Sequence, residues 1–179
     1  MEVRFVAPHL NHLDELDSEL LFAAVFEDER PAHGVAGLCD WRLGGRISKI
    51  LASGFFSGAL GEVLLVPGRP KTTFDKICLF GAGSRASFDE AVFGVLVRRM
   101  LSAMVDLRAR GGVVELPGRH LGLVAPERAV EITLEASEPH AAEVDVWVLV
   151  EGAAGRAAIE KLVFDLRRRK QRVESAFDL

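Results

Sequence analysis

The stretch from Glu62 to Ser84, "EVLLVPGRPKTTFDKICLFGAGS", contains two apolar runs joined by a short polar link. "EVLLV" is closed by Pro67 and "KICLF" runs into a glycine turn. Short apolar runs bounded by proline and glycine read as buried strands. A link this short has no room for the crossover helix that a parallel pair requires. The two strands therefore belong to a mixed sheet rather than a fully parallel one.

Working outward, strand and helix patterns alternate. "VRFVA" (Val3 to Ala7) is a first strand, and "LLFAAVF" (Leu20 to Phe26) is a second, apolar on both faces. Val35, Cys39, Leu43, Ile47, Ile50 and Leu51 recur at three- and four-residue steps and form one helical stripe, interrupted by Gly44 and Gly45. These glycines predict a kink or a close packing contact. After "GAGS", Ser87 and Glu90 have the spacing of a capping box. Val92, Val95, Leu96, Met100, Ala103, Met104 and Leu107 follow as a buried stripe, stopped by Gly111 and Gly112. "VVEL" is a fifth strand, and "VDVWVLV" (Val144 to Val150) a sixth. Between them, "APERAVEITLEAS" begins like a helix but alternates like a strand; the proline at its start favours helix. A last helix covers about Gly155 to Val173. The pattern predicts one domain over residues 1–179, a three-layer α/β/α sandwich around a mixed, roughly six-stranded sheet.

Composition narrows the function classes. The 179 residues are 49% hydrophobic, with mean hydropathy +0.20, which points to apolar surface covered by another subunit or domain. A homo-oligomer or a partner protein is therefore expected. The net charge of −4 argues against nucleic acid, which needs a basic footprint. From Gly155 to Arg172 there are seven basic and two acidic residues, net +5; cations at a helix C-terminus complement its dipole, and a subunit contact is a further use. Cys39 and Cys78 read as buried free thiols. No apolar run approaches the ~20 residues of a membrane span, and the N-terminus lacks the pattern of a signal peptide, so a cytoplasmic location is expected.

Candidate chemistry is sparse. Gly81, Gly83 and Ser84 follow a strand and precede a helix, and Gly58 and Gly61 flank a second glycine loop; these are the ligand-loop candidates. The third glycine of a dinucleotide fingerprint and the lysine of a P-loop are missing, so tight turns are the simpler reading. "HLNHLDELD" offers His9, His12, Asp14, Glu15 and Asp17 to a metal, but a solvated loop explains it better. His33, His120 and His140 lie beside proline or glycine and read as surface loop residues. No nucleophile elbow or His-Glu-x-x-His occurs. No cofactor is implied.

Three segments together resemble a known family. "AVFEDERPAHGVAGLCDWRLGGRISKIL" (Ala24 to Leu51) is similar to a strand, loop and helix with a D-x-x-L-G-G-x-L-S-x-L pattern. "GFFSGALGEVLLVP" (Gly54 to Pro67) is similar to F-x-G-x-x-G-E-x-L-L-L-P, and "KICLFGAGSRASFDEAVF" (Lys76 to Phe93) resembles a V-L-L-V-G-L-G strand and turn with an acidic helix start. In this order they resemble the N-terminal domain of the leucyl (cytosol) aminopeptidase family, from about Leu20 to Leu116. The resemblance implies a macro-domain-like shape. It also implies that catalysis belongs to a separate domain with two metal ions, a lysine and an arginine. That domain's hallmark, Asn-Thr-Asp-Ala-Glu-Gly-Arg, is absent: the one asparagine is Asn11, and the sequence ends at Leu179, about where such a domain would begin. No catalytic or metal residue is carried over. The expectations are a non-catalytic module acting by protein contact, a binder of ADP-ribose or a similar nucleotide, or one part of a split or truncated aminopeptidase. Phe55 and Phe56 are expected to pack the corner where "SGALG" turns the first helix into the third strand.

Overall fold

Along the second strand, every side chain is buried, and alternate ones enter different cores. Leu20, Phe22 and Ala24 point to one face of the sheet, Leu21, Ala23 and Val25 to the other. A strand of this kind has helices on both sides. The computed structural model describes residues 2–177, and side chains through 166 and at 168. Six strands, β1 (Glu2–Val6), β2 (Leu20–Val25), β3 (Val63–Pro67), β4 (Lys76–Gly81), β5 (Gly111–Val114) and β6 (Val146–Val150), form one sheet in the order β1-β6-β5-β2-β4-β3. All neighbours are parallel except β3 and β4, the pair joined by the short link from Gly68 to Asp75.

One face of the sheet carries α1 (Leu10–Asp14), α2 (Gly34–Arg42) and α3 (Arg46–Ser53) over a core that includes Val35, Ile47, Phe56 and Ile77. The other carries α4 (Glu90–Asp106), α5 (Pro126–Ser137) and α6 (Ala153–Phe177) over Phe22, Phe80, Phe93 and Trp147. The three-layer mixed sandwich is thus as the sequence predicts, and the ambiguous segment is helix.

Local physics corrects several expectations. The stripe from Val35 to Leu51 is two helices, not one kinked helix: Asp40, near the end of α2, accepts from the backbone N–H of Ile47 (2.7 Å) and Ser48 (3.1 Å) and so caps α3 from outside it. The cap of α4 is Asp89, which accepts from Val92 N–H at 2.9 Å; Ser87 donates its hydroxyl to the Ser84 carbonyl instead. The expected loop at "HLNHLDELD" holds α1, whose Leu13 is buried and whose Asp14 pairs with Arg42. Phe56 packs the corner before β3 as expected, but Phe55 is exposed. Both cysteines are buried and free, and desolvation pushes the Cys39 thiol up to about 12. The basic run Arg167 to Arg172 continues α6, and apart from Arg168 its side chains lie outside those described.

Candidate functional site

Open α/β sheets gather their loops at the carboxyl ends of parallel strands, and ligand crevices form there. Here the loops after β1, β5 and β6 meet the start of α2 around a crevice of about 340 Å³, lined by Pro8, Gly34, Leu38, Glu115, His120 and Glu151 among others. Glu115 is the first residue past β5 and is 3% exposed. Both its oxygens accept from the backbone N–H of Val35, at 3.2 and 3.1 Å, in the first turn of α2. Gly34 makes this seat possible. Its φ is +58°, and a Cβ there would lie 2.6 Å from each Glu115 oxygen. Burial raises the Glu115 carboxyl to about 8, against the pull of the Val35 N–H and with the help of Glu29 and Glu151 nearby.

Glu29, also 3% exposed, lies 3.1 Å from His120 Nε2 and 3.2 Å from His33 Nδ1. A carboxylate oxygen accepts, so the Glu29–His120 contact is one in which Nε2–H of the ring donates. The buried Nδ1 of His120 has no hydrogen-bond partner and sits 3.5 Å from Glu115 Oε2. Arg119 and Glu151 close the crevice wall with a paired contact at 2.8 and 3.1 Å, both largely buried, and Arg119 also donates to the Val124 carbonyl.

The glycine loops tell the same story. Glu62 Oε2 accepts from the N–H groups of Ser57 (2.8 Å), Gly58 (2.9 Å) and Ala59 (3.2 Å) and from the Ser57 hydroxyl. Such a fan of amides is a nest for an anion, and the backbone bond from Ser57 leads the effects that lower the Glu62 carboxyl below its usual range. The two glycine loops also pack on each other: Gly83 N–H donates to Gly58 O at 2.9 Å, and a Cβ on Gly81 would meet Ala59 O at 2.0 Å. Ser84 Oγ accepts from Ala86 N–H, and Asp28 accepts from Arg85 N–H at 3.1 Å. Gly58, Gly81, Gly83 and Ser84 are thus brought to one corner, where their chain ties the loops together. Gly61 stands apart from these contacts, with open space around it.

His120 corrects the sequence reading. Its ring is largely buried between Glu29 and Glu115, while His33 is exposed. The readable signal was Glu115 itself, an acid within the buried run "VVELP". His9 and His12 stack edge to face on α1, and among the described residues no group of three or more His, Cys, Asp or Glu is placed to hold a metal ion. Nor is any described helix long and apolar enough to cross a membrane. What the arrangement does chemically is fill its own donors: the Val35 N–H and the Ser57–Ala59 amides at these strand ends are already taken by carboxyl groups of the chain itself, Glu115 and Glu62.

Comparison with known proteins places this geometry. Residues 24–138 match the cytosol aminopeptidase family, N-terminal domain. A probable cytosol aminopeptidase of Glaesserella parasuis is 22% identical over 150 residues; the match takes in 84% of this chain, which spans 30% of that relative's length. Among solved structures, a mutant of tomato leucine aminopeptidase superposes with TM-score 0.61 at 18% identity, over 89% of this chain and 35% of that one. An Oceanobacillus iheyensis macrodomain gives TM-score 0.70 at 13% identity over 93% and 92%. A Trypanosoma brucei macrodomain in complex with ADP-ribose gives 0.70 at 15% over 90% and 69%. These likenesses establish a macrodomain-like fold. The chain belongs to the cytosol aminopeptidase family through that family's N-terminal domain.

Proposed function

We propose that the chain is a non-catalytic module that works by protein contact, either self-association or the docking of a partner such as a peptidase catalytic subunit. The observation that carries this reading is the β3 edge. Val63 and Leu65 are about half exposed there, with Leu60, Val95 and Phe55 also exposed in the elements around it. Apolar residues gathered at an unpaired strand edge mark an interaction surface more often than a neutral one. Light scattering after size exclusion, with pull-down against a candidate catalytic subunit, tests the reading. A monomer that captures nothing overturns it, as does metal-dependent hydrolysis of leucine amides by this chain alone.

The second reading, an ADP-ribose or nucleotide binder, draws on the fold shared with the Trypanosoma brucei macrodomain. A diphosphate at Gly58, Gly61, Gly81, Gly83 and Ser84 would have to displace Glu62, and one at α2 would have to displace Glu115. Calorimetry with ADP-ribose separates the two readings: no heat from the wild type favours protein contact. The third, a part of a split aminopeptidase, predicts hydrolysis only when a catalytic chain is supplied.

A further inference from the structure

We propose that the partner at the β3 edge is a second copy of this chain, paired β3 to β3 in antiparallel sense about a two-fold axis at Leu64; this rests on the protein-contact reading and names its occupant.

The backbone pattern of the edge is self-complementary. Gly81 N–H donates to the Glu62 carbonyl at 2.9 Å, and the register runs from Val63 opposite Phe80 to Pro67 opposite Lys76. In an antiparallel pair, hydrogen-bonding direction alternates along the strand. Glu62, Leu64 and Val66 therefore turn their backbone groups toward β4, and Val63 and Leu65 turn theirs outward. Pro67 has no N–H and ends the run. Placing Val63 of one copy opposite Leu65 of the other satisfies both residues in both copies, and only a two-fold axis at Leu64 does so. A two-fold contact of this kind closes on itself and does not propagate into fibres.

Side chains agree with the backbone. Leu64 and Val66 enter the core beneath α3, so Val63 and Leu65 face the side of the sheet that carries α4. Helix α4 stops short of β3 and leaves an open hollow of about 580 Å³ beside Val63 and Phe80, walled by Val95, Arg99, Ser102 and Asp106 among others. Pairing would set Val63 and Leu65 of the two copies against each other over this hollow. Cross-strand apolar pairs are the unit by which sheets are stabilised.

Charge supplies the third argument. Arg98, Arg99 and Asp106 are exposed on α4, and none has an ion pair among the described residues. The arginines lie one turn before Ser102 and the aspartate one turn after it. The same two-fold operation that reverses β3 reverses α4, so each copy's arginines come to the end of the seam where the other copy presents its aspartate. Rim charges of this sort set register and orientation.

Sedimentation and light scattering of the full chain between about 1 and 200 µM are expected to show a monomer–dimer equilibrium that weakens with salt. Leu65→Lys, at an exposed position, should raise the dimer dissociation constant at least about tenfold with an unchanged circular dichroism spectrum. Trp41→Lys, an exposed aromatic on the other layer, should leave it unchanged. Arg99→Asp and Asp106→Arg should each weaken the dimer, and the double variant should restore it. A dimer indifferent to Leu65→Lys, or with no recovery in the double variant, overturns the β3 seam while protein contact stands. A monomer at every concentration overturns the second copy as occupant; the wider reading then falls only if the catalytic-subunit pull-down is also empty.

Discussion

Glu115 illustrates how one residue joins stability to the character of the site. Its carboxyl is buried against α2 and raised to about 8, above the ordinary 4.5. A group raised on folding contributes most below its unfolded value, and the contribution is lost as pH rises through the folded one. Glu115 should therefore favour the fold at pH 4.5 and weaken it progressively toward pH 8. Gln in its place can still accept from Val35 N–H but never ionises. Glu115→Gln is expected to match the wild type near pH 5 and to melt about 5 °C higher at pH 9, on the order of 2 kcal/mol; equal melting curves at pH 9 would contradict this. Glu62 has the opposite sign. Backbone amides hold its carboxyl below 4.5, so its contribution is present above that value and lost as pH falls through the folded one. Glu62→Gln should lower the melting temperature by about 2 °C at pH 7, with the difference closing under acid conditions. A difference that persists at pH 3 would assign the effect to shape rather than charge.

Among the elements, legibility followed burial. The stripe of α4 was plain because Leu96, Met100 and Met104 recur on one face and are all buried. Its start is less legible: Ser87 has Glu90 three residues on, the capping-box spacing, whereas Asp89 has Val92 there, yet the chain spends Ser87 on a tight turn and caps with Asp89. Thermal melts of two variants check this. Asp89→Ala should cost about 1 kcal/mol, the ordinary worth of an N-cap, while Ser87→Ala should stay within about 0.5 kcal/mol. The break between α2 and α3 was visible as Gly44 and Gly45, but the reach of Asp40 across it was not, since a side chain capping the next helix leaves no periodic trace. His120 departs from its sequence expectation for a related reason. Glycine neighbours suggested a surface loop, whereas Gly118 and Gly122 bracket a short turn that carries the ring inward to Glu29. Local pattern reports which face of an element is apolar; it does not report which loops from distant parts of the chain converge.

For the whole molecule, the two cores are halves of one cooperative unit because they share strands. Leu21 belongs to the layer under α2 and Phe22 to the layer under α4, yet they are consecutive in β2, and β2 pairs with β4 and β5 along both edges. Losing either layer would expose one full face of the central strand and the apolar neighbours on it, so neither layer is stable without the other. The expected outcome is a single unfolding transition. It can be read on both sides at once. Trp147 is fully buried in the α4–α6 layer and Trp41 is exposed on α2, so Trp41→Phe leaves Trp147 as the sole fluorescent reporter. Its melting curve should superimpose on that of backbone circular dichroism. Leu21→Ala and Phe22→Ala, one substitution in each layer, should each remove about 3–4 kcal/mol and shift the same transition down by roughly 10 °C under both probes. If Leu21→Ala instead moves the circular dichroism midpoint and leaves the Trp147 midpoint in place, the layers unfold separately and the sheet does not couple them.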